Sequence, residues 1–184
     1  MAGRINGRAD WATVPNLLTM LRGILCPLVF VLLVSHSTLA VLVYVTAAVT
    51  DLIDGWYARR FNQESWLGKM MDPIVDKLLA ASVLIGLSIT QPELWVLIPA
   101  AVIIVREIAV AILVQVYMRR GTPLHVTWSG KVKTVAHGVA FTLMMLPLGG
   151  IWLAAARVVI TVAVVLTITS GFDYFQRARV VSIG

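Results

Sequence analysis

Charged residues are scarce in this chain. Only 13% of its 184 residues are Asp, Glu, Lys or Arg, whereas 59% are hydrophobic and the mean hydropathy is +0.90. A water-soluble domain typically carries about 25% charged residues, so the composition excludes an ordinary soluble globular protein. The single cysteine, Cys26, excludes an internal disulfide framework and a cysteine-rich metal site.

Acidic residues are especially few. Nine Asp and Glu stand against fifteen Lys and Arg, which gives a formal net charge of +6. In a soluble chain this excess would suggest a nucleic-acid partner. In a chain this hydrophobic, the anionic surface of a membrane is the better partner, and we expect no nucleic acid. The positions of so few acids are informative, because ionisable groups in membrane segments are normally functional.

Long apolar segments are what the chain has in abundance. A membrane-spanning helix needs about 20 mostly apolar residues. Six such segments are predicted, at 17–34, 38–58, 70–90, 94–117, 130–148 and 151–174. We therefore predict an all-α integral membrane protein with six transmembrane helices, forming a single domain over residues 1–184. Residues 1–14 are predicted to be a tail or a short helix at the membrane interface.

The basic residues alternate from one connection to the next. The connections at 35–37, 90–93 and 148–150 contain no Lys or Arg, whereas both ends of the chain and the other two connections hold most of the bases. The positive-inside rule therefore predicts that both termini and the two basic connections are cytoplasmic.

Four of the acids lie close together in the sequence. Asp51 and Asp54 are three residues apart near the end of the second predicted helix, and Asp72 and Asp76 are four residues apart near the start of the third. Each spacing places both carboxylates on one helix face. Converging carboxylates repel each other unless cations are bound, and hard ions such as Mg²⁺ or Mn²⁺ prefer oxygen ligands. The pattern predicts a site for two divalent cations.

The simpler interpretation of these acids is an interfacial ion-pair network with nearby bases. The bases concerned are Arg59, Arg60 and Lys77. Against this interpretation, small residues stand beside the carboxylates, at Gly55, Ala58 and Gly68. Glycine weakens a helix by about 1 kcal/mol relative to alanine, so its presence makes sense where a ligand approaches the backbone closely. Metal ions, close approach and an arginine together indicate a site for a phosphate-bearing molecule.

The segment from Asp51 to Asp76 also matches a known pattern. It fills every fixed position of D-x2-D-G-x2-A-R-x8-G-x3-D-x3-D. In this it resembles the CDP-alcohol phosphotransferase family, whose members are six-helix membrane enzymes, usually homodimeric, with a two-metal site facing the cytoplasm. The resemblance implies a homodimeric, multi-pass enzyme of the bacterial inner membrane.

The same resemblance assigns roles to single residues. It implies that the four aspartates bind the two metal ions and that Asp76 is in addition the general base. The positions implied to contact the CDP moiety are Gly55, Ala58, Arg59, Ser65 and Gly68. Asn16 and Thr19 either contact CDP as well or cap the first helix. The roles are chemically consistent, because metal ions stabilise charge on departing CMP and a carboxylate accepts the proton of an attacking hydroxyl.

Three further segments bear on the acceptor alcohol. They are Pro15–Thr19 with Arg22, Val105–Ile108, and Ser129–Thr134. All three resemble segments of bacterial phosphatidylglycerophosphate synthases, a branch of that family in which glutamine is expected at the position of His137. This resemblance implies transfer of the phosphatidyl group from CDP-diacylglycerol to glycerol 3-phosphate, giving phosphatidylglycerophosphate and CMP.

Cationic residues in these segments are candidates for binding the acceptor phosphate. They are Arg22, Arg106, Lys131 and Lys133. Arg106 is the strongest, because an arginine inside an apolar helix is costly, and Glu107, about 100° further round the helix, need not neutralise it. The alternatives are snorkelling of Arg22 to the lipid headgroups and anchoring of Lys131 and Lys133 to anionic lipid.

Other functions fit parts of the pattern. The same chemistry with phosphatidylglycerol, inositol phosphate or serine as acceptor is one alternative. A cation transporter would also cluster carboxylates in a membrane, although the glycine, alanine and arginine positions would then have no role. A purely structural subunit leaves the four carboxylates unexplained. The sequence gives no role to Arg157 and indicates a hydrogen-bonded interior position for His137.

Overall fold

A computed structural model describes residues 13–61, 66–119, 128–147 and 149–183. Within these ranges the chain forms helices and no strand, as predicted for an all-α protein. The helices are α1 (Val14–Val34), α2 (Leu39–Phe61), α3 (Trp66–Thr90), α4 (Leu94–Arg119), α5 (Trp128–Met145) and α6 (Ile151–Ile183). Ser65 and nearly all of the predicted N-terminal tail or interfacial helix lie outside the described residues.

The last helix is longer than its sequence pattern predicts. Hydropathy places its end at residue 174, whereas α6 continues to Ile183 and has 33 residues. The predicted segment covers the apolar part alone, and the helix continues past it because backbone hydrogen bonding does not require apolar side chains. The apolar part of α6 ends at Gln176, and the polar end of the helix extends beyond it by about 10 Å at a rise of about 1.5 Å per residue.

Four helices are long and apolar enough to cross a membrane, counting only the described parts of the chain. Their apolar parts are Asn16–Val34, Met71–Thr90, Leu94–Tyr117 and Ile151–Gln176. The apolar stretches of α2 and α5 are shorter, at Leu39–Asp51 and Val132–Met145, because both helices also contain a polar end. The chain is a membrane protein.

Burial in these helices is the reverse of that in a water-soluble protein. Large apolar side chains such as Ile24, Val105 and Val158 are more than 60% exposed. The buried polar side chains include Asn16, Thr19, Arg22, Lys133, His137, Thr167 and Ser170. Lipid solvates apolar side chains, whereas polar groups at membrane depth need partners inside the protein. The burial pattern is therefore that of helices surrounded by lipid.

The chain divides into two compact units, the first ending at Val83 and the second beginning at Leu84. In the first unit α1 packs against α2, and a short connection with His36 at a positive φ of 54° reverses the chain between them. In the second unit α6 packs against both α4 and α5. Among the described side chains, each unit brings a group of charged residues together. The single domain over 1–184 stays a prediction.

Candidate active site

The first unit brings together carboxylates from two helices around an arginine of a third. Arg22 of α1 pairs through Nη1 with Oδ1 of Asp51 on α2, and the same nitrogen donates to Oδ1 of Asp76 on α3 at 2.6 Å. The Arg22 side chain is 0% exposed, whereas those of Asp51 and Asp76 are 39% and 51% exposed. The two carboxylates therefore meet a buried cation on one side and are open to solvent on another.

A second contact ties α1 to the start of α3. The hydroxyl of Thr19 donates to Oδ1 of Asp72 at 2.6 Å. Asn16, Thr19 and Arg22 follow one another at intervals of three residues, so they share one face of α1, and all three are buried. The N-cap of α1 is Thr13, so Asn16 and Thr19 lie within the helix and not at its cap.

Snorkelling is excluded for Arg22. A snorkelling side chain extends its charged end into the headgroup region, whereas that of Arg22 is fully buried. The sequence grouped Arg22 with the cations expected to bind the acceptor phosphate. In the structure it contacts two of the predicted metal ligands, which spacing along the chain could not reveal.

The remaining residues of the motif are only partly described. Asp54, Gly55, Ala58 and Arg59 belong to α2 and follow Asp51 by three to eight residues, but their side chains are outside the described set. Gly68 is buried near the start of α3. The motif thus occupies the end of α2 and the start of α3, which are the two elements that supply Asp51 and Asp76.

The second unit has a charged cluster centred on Arg106 of α4. Its guanidinium donates from Nε to the Thr167 carbonyl at 3.2 Å and from Nη2 to Oγ of Ser170 at 2.8 Å, both on α6. Nη1 donates to Oε1 of Glu107 at 3.0 Å, so these neighbours do pair. The expectation that Glu107 need not neutralise Arg106 was wrong, because flexible side chains can meet across 100° of helix surface. The ring of Tyr174 lies 5.8 Å from the guanidinium carbon.

Glycine makes room for the arginine on α6. A Cβ atom placed on Gly171 would lie 3.3 Å from Cγ and 3.4 Å from Nε of Arg106. Sequence reasoning missed this residue and its neighbour Ser170. The only sequence signal for these two residues was that a polar and a small residue are adjacent within an apolar helix. That signal does not indicate which side chain packs against them.

Lys133 of α5 completes the cluster. Its Nζ pairs with the same carboxylate oxygen of Glu107 that Arg106 uses, and the Lys133 side chain is 9% exposed. Among the described side chains, two cations therefore share one carboxylate oxygen in a largely buried setting. The side chain of Lys131 is outside the described set.

His137, one turn further along α5, is a hydrogen-bonded interior residue, as predicted. Its Nε2 lies 2.7 Å from Oγ1 of Thr167. That hydroxyl donates its own hydrogen to the Ala163 carbonyl at 2.6 Å, so His137 is the donor and carries hydrogen on Nε2. The ring also stacks on Phe141.

Arg157, which lies outside the predicted charge pattern, has a partner of its own. Nη2 donates to Oε2 of Glu93 at 2.9 Å, and the guanidinium carbon lies 6.0 Å from the centre of the Trp95 ring. Both charged side chains are partly exposed. The pair lies at the end of the bundle where the sequence predicted connections without Lys or Arg.

The aspartate cluster is chemically suited to a divalent cation. Carboxylate oxygens from α2 and α3 converge on one nitrogen of Arg22, so positive charge is already stabilised at this point. Oxygen-rich, anionic donors are the set that Mg²⁺ and Mn²⁺ prefer. A complete group of three or more potential ligands is not found among the described side chains, a set that leaves out that of Asp54.

These features agree with what comparison with known proteins shows. A family model for CDP-alcohol phosphatidyltransferase matches residues 12–169, and the chain belongs to this family. It is 38% identical over 183 residues to a probable phosphatidylglycerophosphate synthase of Mycobacterium tuberculosis (strain CDC 1551 / Oshkosh), covering 96% of this chain and 86% of that protein. The resemblance inferred from the aspartate motif is confirmed.

Enterobacterial relatives have the same type of name. The chain is 40% identical over 174 residues to the CDP-diacylglycerol–glycerol-3-phosphate 3-phosphatidyltransferase of Escherichia coli (strain K12), covering 90% of this chain and 94% of that protein. The protein of that name from Shigella sonnei (strain Ss046) matches with the same identity and coverage.

Proposed function

We propose that this chain is a metal-dependent membrane transferase that moves the phosphatidyl group of CDP-diacylglycerol to glycerol 3-phosphate. The products are phosphatidylglycerophosphate and CMP. The proposal depends above all on the convergence of Asp51 and Asp76 within a motif that matches the family. The names of relatives at 38% and 40% identity over most of the chain support glycerol 3-phosphate as the acceptor.

Four aspartates would hold two divalent cations, Mg²⁺ or Mn²⁺. They are Asp51, Asp54, Asp72 and Asp76. The cations, when bound, supply charge stabilisation at the pyrophosphate. The partial exposure of Asp51 and Asp76 supports this assignment, because it leaves both carboxylates accessible to ions from water.

Asp76 would act as general base. It is the most exposed side chain in the described part of the cluster, so it can meet a soluble acceptor. It takes the proton of the glycerol 3-phosphate hydroxyl as the oxygen bonds to the phosphorus that carries diacylglycerol. The bond between that phosphorus and CMP breaks, and its electron pair leaves with CMP.

The CDP moiety would lie along the motif. The proposed contacts are Asn16, Thr19, Gly55, Ala58, Arg59, Ser65 and Gly68. Burial of Asn16 and Thr19 on the face of α1 that contacts Asp72 supports their inclusion. Small residues at Gly55, Ala58 and Gly68 would let the nucleotide approach the helix backbone.

Arg106 and Lys133 would bind the phosphate of glycerol 3-phosphate, together with Lys131. Arg106 and Lys133 both contact Glu107, so two cations lie close together, which suits a dianion. A guanidinium has five N–H groups, and contacts within the described part of the chain use three of them. Arg22 is not included, since its contacts are with carboxylates. The competing role of the lysines, anchoring to anionic lipid, fits the burial of Lys133 poorly.

All six helices would span the inner membrane of a bacterium, with both termini and the active site at the cytoplasmic side. The distribution of bases supports this orientation, and a lipid donor explains why such a site belongs at the membrane surface. The acyl chains remain in the bilayer while the headgroup meets a soluble acceptor. We further propose that the enzyme is a homodimer, as the family usually is.

An acceptor panel tests the proposed reaction. Purified protein is mixed with CDP-diacylglycerol and, separately, glycerol 3-phosphate, phosphatidylglycerol, inositol phosphate or serine, and CMP release is measured. We expect release with glycerol 3-phosphate, in Mg²⁺ or Mn²⁺, and none with chelator. Release only with another acceptor would contradict the acceptor assignment. Cation flux in liposomes without any CMP release would support the transporter alternative.

A further inference from the structure

Arg22 is an unusual residue for the interior of a membrane helix. Among the described residues it is the largest side chain that is fully buried, and it lies within the apolar span Asn16–Val34. A guanidinium stays charged in proteins, and a buried charge is tolerated only when opposite charge and hydrogen bonds compensate it. Asp51 and Asp76 supply that compensation.

The geometry of this compensation is specific. Both aspartates approach the same nitrogen, Nη1, each through its Oδ1 oxygen. Two carboxylates from separate helices that share one cation would repel each other without it. Arg22 thus does for the end of α2 and the start of α3 what a bound cation would do.

We propose that Arg22 is a built-in counter-cation that holds Asp51 and Asp76 together before divalent ions bind and then yields these carboxylates to the metal. The inference rests on the proposed function, in which both aspartates are metal ligands. The two cations reach the carboxylates from different sides, because Arg22 is fully buried while both aspartates are partly exposed. A divalent ion on the same oxygens repels the guanidinium, so the two compete.

Binding of Mn²⁺ to an Arg22→Gln variant is the test. Mn²⁺ titrations of purified, substrate-free protein are followed by electron paramagnetic resonance, and thermal unfolding is measured with and without Mn²⁺. Loss of the competing cation should tighten Mn²⁺ binding by about fivefold or more. It should also lower the unfolding temperature without metal and enlarge the rise that Mn²⁺ produces.

Arg157→Gln is the matched control, since it makes the same change of charge at an arginine paired with Glu93 instead. Its Mn²⁺ affinity should equal that of the unmodified chain. Arg22→Lys keeps the charge on a shorter side chain and should bind Mn²⁺ more tightly than the unmodified chain. If Arg22→Gln does not fold, the Mn²⁺ affinity of Arg22→Lys tests the proposal instead.

The outcomes separate this inference from the proposed function. If Mn²⁺ binds the unmodified chain and Asp51→Asn weakens it, the metal site stands. Unchanged or weaker Mn²⁺ binding in the Arg22 variants would then overturn the role of Arg22 alone. If the unmodified chain binds no Mn²⁺, both the metal site and the role of Arg22 are overturned.

Discussion

The described charged residues include two groups of opposite composition. Arg22 faces two aspartates, and Arg106 and Lys133 face one glutamate. Among the described side chains, the first group has two carboxylates around one cation, and the second has two cations around one carboxylate.

Replacement of Asp76 by Asn tests its role as a base. The amide has nearly the same shape and Asp51 still pairs with the buried Arg22, so the chain should fold. The amide cannot accept the proton of the attacking hydroxyl. We expect CMP release to fall by about 100-fold or more, measured with saturating glycerol 3-phosphate and Mg²⁺. Glu93→Gln, which removes an exposed carboxylate that pairs with Arg157, should leave the rate unchanged. A rate close to normal in Asp76→Asn would refute the base assignment.

His137 shows how one departure from the expected pattern is accommodated. The structure uses this residue as a donor to the Thr167 hydroxyl. Glutamine, expected at this position in the phosphatidylglycerophosphate synthase branch, also has a side-chain N–H donor. Histidine in place of glutamine therefore changes the chemical group that donates the hydrogen bond, but the position keeps a donor.

At the scale of the helices, α6 positions the key arginine of α4. Arg106 is fixed by the Thr167 carbonyl and the Ser170 hydroxyl, and it passes over Gly171. The side chain cannot move aside without losing one of these hydrogen bonds. The position of the Arg106 side chain on α4 therefore depends on groups that α6 supplies.

The Gly171→Ala variant should expose this dependence. The added methyl group would press on Arg106 at 3.3 to 3.4 Å and displace its guanidinium. We expect the KM for glycerol 3-phosphate to rise by about tenfold, which corresponds to about 1.4 kcal/mol, while the KM for CDP-diacylglycerol stays the same. Gly138→Ala is the control, because nothing lies within 4 Å of an added Cβ there. Equal changes in both KM values would argue against a specific effect on Arg106.

The four helices with long apolar spans were largely predictable from sequence, because about twenty mostly apolar residues leave few alternatives. The polar end of α6 was not, since Arg177 and Arg179 end the apolar run without ending the helix. The aspartates were found through their spacing and motif. The partners of Arg22 and Arg106 could not be predicted in this way. Spacing along one helix shows which residues share a face, but not which face of another helix packs against them.

At the scale of the whole chain, lipid-facing apolar side chains and buried polar ones define the membrane protein. The span count and orientation are best tested by chemical labelling. The only cysteine, Cys26, is buried, so a Cys26→Ala background allows single cysteines to be introduced at exposed positions. Thr38 between α1 and α2 and Arg60 near the end of α2 are suitable.

Labelling of intact cells with a membrane-impermeant maleimide should distinguish the two positions. The positive-inside rule places Thr38 outside and Arg60 in the cytoplasm. We expect Thr38→Cys to react in intact cells and Arg60→Cys to react only after the membrane is opened. Reaction of both from the same side would show that α2 does not cross the membrane.

The contact of Arg22 with two aspartates also bears on how the protein is made. Asp51 and Asp76 first meet while the newly synthesised chain folds. Because the chain supplies its own cation, the ends of α2 and α3 can assemble at that moment. If the proposed metal site is correct, folding would then be independent of the metal supply of the cell, and a shortage of metal would leave a folded enzyme without its ions.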